Sequence, residues 1–227
     1  MTKQHLAISF LMISLFFACQ PKKTAPTNAE NNTPSTSTER RENQKVILFF
    51  GNSLTAGYGL EESQSFPSLI QKRIDSLELD YRVVNGGISG ETSAGGFARI
   101  DWTLNQPVNI FILELGANDA LRGFDLAATM ENLQNIISAV QAKDPQIKII
   151  VAGMKAPPNM GTEYSKSFEN IYKQLSRDND VPLIPFLLEG VAGIPDLNLA
   201  DGMHPNEEGQ KIVRENVWKV LSPLIQS

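Results

Sequence analysis

From Lys45 onward, short apolar runs alternate with amphipathic stretches. Val46-Ile47-Leu48-Phe49-Phe50 is a continuous run of apolar, β-prone residues, the pattern of a strand covered on both faces. Comparable runs follow at Tyr81 to Asn85, Asn109 to Leu115, Ile147 to Ala152 and Leu183 to Phe186. Between them the period lengthens to that of a helix. One helix is predicted over about Ser65 to Leu79. A second covers Leu126 to Ala142, with Met130, Leu133, Ile137 and Val140 on one face. A third covers about Thr162 to Arg177. The last begins at Asn206, a good N-cap, with Glu207 and Glu208 in the first turn, where carboxylates meet the positive end of a helix. Its buried face takes Val213, Val217, Val220 or Leu221, and Leu224. Strands alternating with helices predict an α/β domain with a mainly parallel, five-stranded sheet, and right-handed crossovers put helices on both faces. In such sheets ligand sites form at the carboxyl ends of the strands.

Before Lys45 the pattern is different. Leu6 to Ala18 is almost wholly apolar, about the length of a signal-peptide core and shorter than a membrane span. It follows a short segment carrying Lys3 and His5, and it ends in Leu15-Phe16-Phe17-Ala18-Cys19. A small residue followed by Cys is similar to the bacterial lipoprotein processing site, where the Cys is diacylated and becomes the new N-terminus; Phe16 stands where Leu is usual. Cys19 is the only cysteine, so no intramolecular disulfide can form. Residues 20–44 are rich in Thr, Asn, Ser, Pro, Glu and Lys and hold no large apolar residue, so burial cannot offset their ordering entropy. The expected organisation is a signal peptide over 1–18, a lipidated Cys19 and flexible tether over 19–44, and one folded domain over 45–227. That organisation implies a lipid-anchored protein of the bacterial cell envelope. The alternative is an ordinary signal peptide with a free Cys behind it.

Composition narrows the partners. The chain has 227 residues, 41% hydrophobic and 20% charged, enough for one core and too few for two full domains. Its net charge of −5 and the lack of a basic patch argue against nucleic acid, whose phosphates need a basic face.

Four of the expected strand ends carry residues suited to chemistry. After the first run comes Gly51-Asn52-Ser53-Leu54-Thr55-Ala56-Gly57-Tyr58. Ser53 sits on a tight turn beyond a buried strand, where its hydroxyl and N–H are exposed at the sheet edge; a helix-capping role is the plainer reading. Thr55 takes the place of the last Gly of a Gly-x-Ser-x-Gly elbow. After the second run, Asn85-Gly86-Gly87-Ile88-Ser89-Gly90-Glu91-Thr92-Ser93 supplies glycines that let backbone N–H groups approach a ligand, or forms a plain loop. After the third, Gly116-Ala117-Asn118-Asp119 offers an amide for a developing oxyanion, with Asp119 either a triad acid or a cap. The fourth is Asp201-Gly202-Met203-His204-Pro205, ahead of the last helix. The only other histidine is His5 in the leader, which leaves His204 as the candidate imidazole base. Asp201, three residues earlier, can reach its Nδ1 and fix the tautomer. Met203 reads as a loop-packing residue.

Together these blocks resemble the SGNH (GDSL) hydrolase family, named for a Ser, Gly, Asn and His in four separated blocks, here Ser53, Gly90, Asn118 and His204. The resemblance runs from about Val46 to the C-terminus. It is tightest to the thioesterase I/lysophospholipase/arylesterase branch, through Ile88 to Ser93, Leu113-Glu114-Leu115-Gly116, Leu121-Arg122-Gly123-Phe124 and Val181 to Phe186. One departure stands out: the first block usually reads Gly-Asp-Ser-Leu, and here Asn52 replaces the Asp. An Asp that only braces the turn can be replaced this way at little cost; one whose charge raises the basicity of His204 cannot, and the working pH shifts downward.

The resemblance implies a three-layer, flavodoxin-like fold and a serine esterase of acyl or aryl esters, with lysophospholipids or thioesters as further substrates. It implies a triad of Ser53, His204 and Asp201 and an oxyanion hole of the Ser53 and Gly90 N–H groups with the Asn118 amide. The loop from Met154 to Glu163, including Pro157, together with Leu121 and Phe124, offers apolar surface for the acyl or aryl group. Neither a metal nor an organic cofactor is expected, and the protein is expected to act as a monomer. A carbohydrate O-deacetylase is the rival enzyme; a non-catalytic flavodoxin-like binding lipoprotein is the rival of another class.

Overall fold

The computed structural model describes residues 44–226. The expected signal peptide, Cys19 and, but for its last residue, the tether lie outside the described residues. Five parallel strands run β1 (Lys45–Gly51), β2 (Tyr81–Gly87), β3 (Ile110–Glu114), β4 (Lys148–Ala152) and β5 (Leu183–Ile184), in the spatial order β2-β1-β3-β4-β5. The three inner strands, β1, β3 and β4, are the apolar runs of the sequence, and helices cover both their faces. Val46 to Phe50 are at most 1% exposed. The fifth strand is shorter than the expected Leu183 to Phe186, because Pro185 has no N–H to continue the ladder.

Around the sheet lie α1 (Ser53–Ala56), α2 (Phe66–Ser76), α3 (Ser93–Thr103), α4 (Ala117–Leu121), α5 (Leu126–Lys143), α6 (Thr162–Asn179) and α7 (Glu207–Ile225). One layer is formed by α2 packed on α7, the other by α3, α5 and α6 packed in turn. The result is the expected three-layer α/β architecture. Asn206 caps α7 by accepting from the N–H groups of Glu208 and Gly209, both at 3.1 Å. Val213, Val217 and Leu221 are buried as expected, but Ile225 takes the place expected for Leu224. Among the described residues no helix is long and apolar enough to cross a membrane.

The α3 helix has no counterpart among the helices expected from periodicity. Its Gly95 and Gly96 lower helix propensity and blur the apolar stripe. The second of these is required by packing: a Cβ on Gly96 would stand 2.3 Å from Leu115 Cδ1 and 3.1 Å from Phe50 Cε1. Glycine there lets α3 lie close on the sheet.

The chain goes one way from β1 to β2 and returns past β1 to β3, so the order reverses between β1 and β3. A crevice opens at the carboxyl ends of strands at such a switch point. The register sets Gly51 beside both Gly87 and Glu114, so β1, β2 and β3 end together at that crevice.

Candidate active site

Ser53 is the first residue of α1, directly after β1. Asn52 caps this short helix: its Oδ1 accepts from Leu54 N–H at 2.9 Å and lies 3.4 Å from Ser53 Oγ. Gly57, in the left-handed region at φ 75°, ends the turn. As an N-terminal helical residue, Ser53 has an N–H without a partner in the helix.

The loop before α7 brings His204 to this serine. Its Nε2 lies 2.9 Å from Ser53 Oγ, and its Nδ1 lies 2.7 Å from Asp201 Oδ2. The other carboxylate oxygen, Asp201 Oδ1, accepts from the backbone N–H groups of Met203 at 2.9 Å and His204 at 3.0 Å. One carboxylate thus folds the loop and orients the ring. Burial acts to raise the Asp201 pKa, but these two N–H groups and the His204 ring outweigh it and hold the carboxyl below the usual carboxylate range. Asp119, open in the sequence as a triad acid or a cap, accepts from Ser93 N–H at 2.8 Å and also from Ser93 Oγ–H. It ties α4 to the start of α3 and does not pair with the histidine.

Ser53, Gly90, Asn118 and His204 line one cleft of about 880 Å³. Gly90 has φ 79°, with nothing within 4 Å of where a Cβ would lie, and Arg122 Nη2 donates to its carbonyl at 3.0 Å. Asn118 Nδ2 donates to Glu91 O at 3.0 Å, which points its amide and leaves its second hydrogen available. Glu91 is held in turn by Arg99, whose Nε donates to Glu91 Oε1 at 2.7 Å and whose Nη2 donates to Gly86 O at 2.8 Å. The donors around the cleft are therefore braced before any ligand arrives.

Of the residues expected to meet the substrate, Leu121, Met154 and Pro157 line the cleft, joined by Phe186 and Leu188. Phe124 does not. Gly123, at φ 64°, turns the chain after α4, and Phe124 N–H bonds back to Asp119 O at 3.0 Å. That leaves its ring beside the Arg122 guanidinium, 6.0 Å away. Met203 is not a packing residue: it is 51% exposed and lines the cleft. Two further residues gained no role from sequence. The Tyr58 ring lies over His204, centroids 4.5 Å apart and planes at 37°. Glu114 is buried beneath the serine turn, and its signal was a lone charge inside an apolar run. Among the described residues, no group of three or more His, Cys, Asp or Glu is arranged to hold a metal.

A hydroxyl, an imidazole and a carboxylate in hydrogen-bond contact, beside an oriented Asn118 amide, can carry out acyl transfer. Comparison with known proteins agrees. Residues 49–212 match the model of the GDSL-like Lipase/Acylhydrolase family. The chain is 40% identical to Esterase TesA of Pseudomonas aeruginosa over 182 residues, 80% of this chain and 90% of that protein. It is 36% identical to the Thioesterase 1/protease 1/lysophospholipase L1 of Escherichia coli K12 over 181 residues, 79% of this chain and 85% of the relative. A crystal structure of TesA superposes with a TM-score of 0.76 at 39% identity, covering 79% of this chain and 99% of that one.

Proposed function

This chain belongs to the GDSL-like lipase/acylhydrolase family and is an ester hydrolase of that kind, and from that premise we propose that it works through Ser53, His204 and Asp201 and an acyl-enzyme. The observation that carries this reading is His204 itself, with one ring nitrogen on Ser53 and the other on Asp201. His204 Nε2 takes the hydroxyl proton as Ser53 Oγ attacks the ester carbonyl. Asp201 fixes the tautomer and stabilises the imidazolium that results. The carbonyl oxygen, now negative, is met by the Ser53 and Gly90 N–H groups and by the free hydrogen of the Asn118 amide. His204 then returns the proton to the leaving alcohol. Water, deprotonated by the same ring, attacks the acyl-enzyme, and the acid departs as Ser53 regains its proton.

The apolar end of the cleft, with Leu121, Met154, Pro157, Phe186 and Leu188, favours an acyl chain or aryl group over a sugar. Lysophospholipids and acyl thioesters fit the same chemistry. A chain-length series of p-nitrophenyl esters, with a lysophospholipid, an acyl-CoA and an acetylated glycan, tests this. Turnover rising with acyl length supports it; activity on the glycan alone favours the O-deacetylase. The apolar leader and the cysteine behind it support an envelope enzyme held by a lipid on Cys19. Palmitate labelling checks the anchor, and equal labelling of Cys19→Ala and wild type contradicts it.

A further inference from the structure

Glu114 is the last residue of β3, 1% exposed, and the hydrolytic cycle above makes no use of it. Three hydrogen bonds converge on its carboxylate. Oε1 accepts from Asn52 Nδ2 at 2.8 Å; Oε2 accepts from Asn52 N–H at 3.1 Å and from Thr55 Oγ–H at 2.8 Å. All three donors belong to the turn that carries Ser53, two on the residue before it and one on the residue two after it. The carboxylate is close enough that a Cβ on Gly51 would fall 2.5 Å from Oε2. Asn52 spends both ends of its amide: Nδ2 on Glu114, Oδ1 on the Leu54 N–H.

We propose that Glu114 is a positioning residue for the nucleophile: its ionised carboxylate locks the turn from Asn52 to Thr55, and protonating it loosens Ser53. The inference rests on Ser53 being the nucleophile. Its logic is a count of hydrogens. An ionised carboxylate accepts all three of these hydrogen bonds. Protonation adds a fourth hydrogen. Thr55 can rotate its hydroxyl to accept, but Asn52 cannot turn its amide without abandoning the Leu54 N–H and the cap. The Thr55 bond survives only by reversing, and the two from Asn52 then end on a neutral carboxyl and lose the strength its charge gave them.

No cation offsets the charge, because Glu114 makes no ion pair among the described residues. The groups around it are otherwise engaged. From α6, the Tyr172 hydroxyl donates to Leu115 O at 2.9 Å. Asp119 of α4 is bound to Ser93. Arg99 of α3 closes on Glu91 and Gly86 O. On the cleft side, His204 and Asp201 hold each other. Burial in this setting pushes the Glu114 carboxyl up to about 7, against the pull of the Thr55 and Asn52 hydrogen bonds. The lock therefore opens and closes within the ordinary assay range.

The test is kcat/KM for p-nitrophenyl butyrate from pH 5 to 9 in wild type, Glu114→Gln, Asn52→Asp and the double variant Asn52→Asp/Glu114→Gln. Wild type should lose activity on the acid side with two ionisations. In Glu114→Gln an amide N–H faces the turn's donors; kcat/KM should fall roughly ten- to a hundredfold, mostly in kcat, with one ionisation left. Asn52→Asp restores the residue usual at this position but removes the amide donor to Glu114, so its acid-side loss should move to higher pH. The double variant exchanges amide and carboxylate between the two positions. The carboxylate introduced on the turn still caps Leu54 and accepts from the amide introduced at the end of β3, whose oxygen accepts from the turn. This variant should recover to within a few-fold of wild type and keep the single ionisation. A Glu114→Gln profile that superimposes on wild type would overturn the proposal, as would a double variant no better than Glu114→Gln. A fluorophosphonate label on wild-type Ser53 separates the two readings. Its absence overturns the nucleophile; its presence with an unchanged Glu114→Gln profile overturns only the role of Glu114.

Discussion

His204 and Ser53 stand 151 residues apart in sequence and 2.9 Å apart in space, nitrogen to oxygen. The turn after β1 and the loop before α7 are built independently, one by an Asn cap and one by an Asp that folds its own loop. Each can be perturbed without unfolding the other, and the consequences differ.

The two aspartates separate by what they hold. Asp201→Asn keeps the loop's shape but turns an amide N–H toward Nδ1 and forces the wrong tautomer, and kcat should drop by up to ~10⁴ with little change in Tm. Asp119→Ala releases Ser93 and the start of α3, and should lower Tm while leaving much of kcat. Steady-state kinetics beside thermal melts on both variants check this. A larger kcat loss in Asp119→Ala would reverse the assignment.

Asn118 is pointed by the Glu91 carbonyl with one hydrogen to spare. Asn118→Ala should cost ~10²–10³ in kcat with KM nearly unchanged, the signature of a contact made to the transition state. A variant that raises KM alone would make Asn118 a binding residue instead.

Tyr58 stacks on the ring that the proposed mechanism makes cationic. The face of the phenol favours imidazolium, so Tyr58→Leu should lower kcat roughly three- to tenfold and Tyr58→Phe should not. Equal loss in both variants would point to the hydroxyl rather than the stack.

Stability should depend on pH through Glu114. Its folded-state pKa is raised from 4.5 to about 7. The folded form therefore binds the proton more tightly than the unfolded chain, and this group's contribution is full below about 4.5 and lost as pH rises to about 7. Asp201 has the opposite sign: its pKa is lowered, so its contribution is present above its ordinary value and lost in acid. Urea unfolding at pH 5 and pH 8 should show Glu114→Gln gaining on wild type at the higher pH. No difference between the two pH values would remove the buried charge from the account.

The sequence carried the architecture where apolar runs were long, as in Val46 to Phe50 and Leu126 to Lys143. It also marked the candidate residues that the fold brings to one cleft, because Ser53, Gly90, Asn118 and His204 each follow such a run or precede a well-capped helix. What it hid depends on contacts and turns that only the folded chain reveals. The glycines of α3 resemble a loop until Leu115 and Phe50 are seen against Gly96. Phe124 belongs in an apolar wall until Gly123 turns it aside. The replacement of Asp by Asn at position 52 acquired meaning only when Glu114 was found 2.8 Å from its amide. Bracing of the turn, one of the two readings open for that position, is the one this contact favours.

The proposed cycle turns on acylation of Ser53. Intact-mass measurement after treatment with a fluorophosphonate, followed by peptide mapping, tests it most directly. One adduct is expected on wild type, located on Ser53, and neither adduct nor ester turnover in Ser53→Ala. An adduct on another residue, or a Ser53→Ala protein that still hydrolyses p-nitrophenyl esters at the wild-type rate, would contradict it.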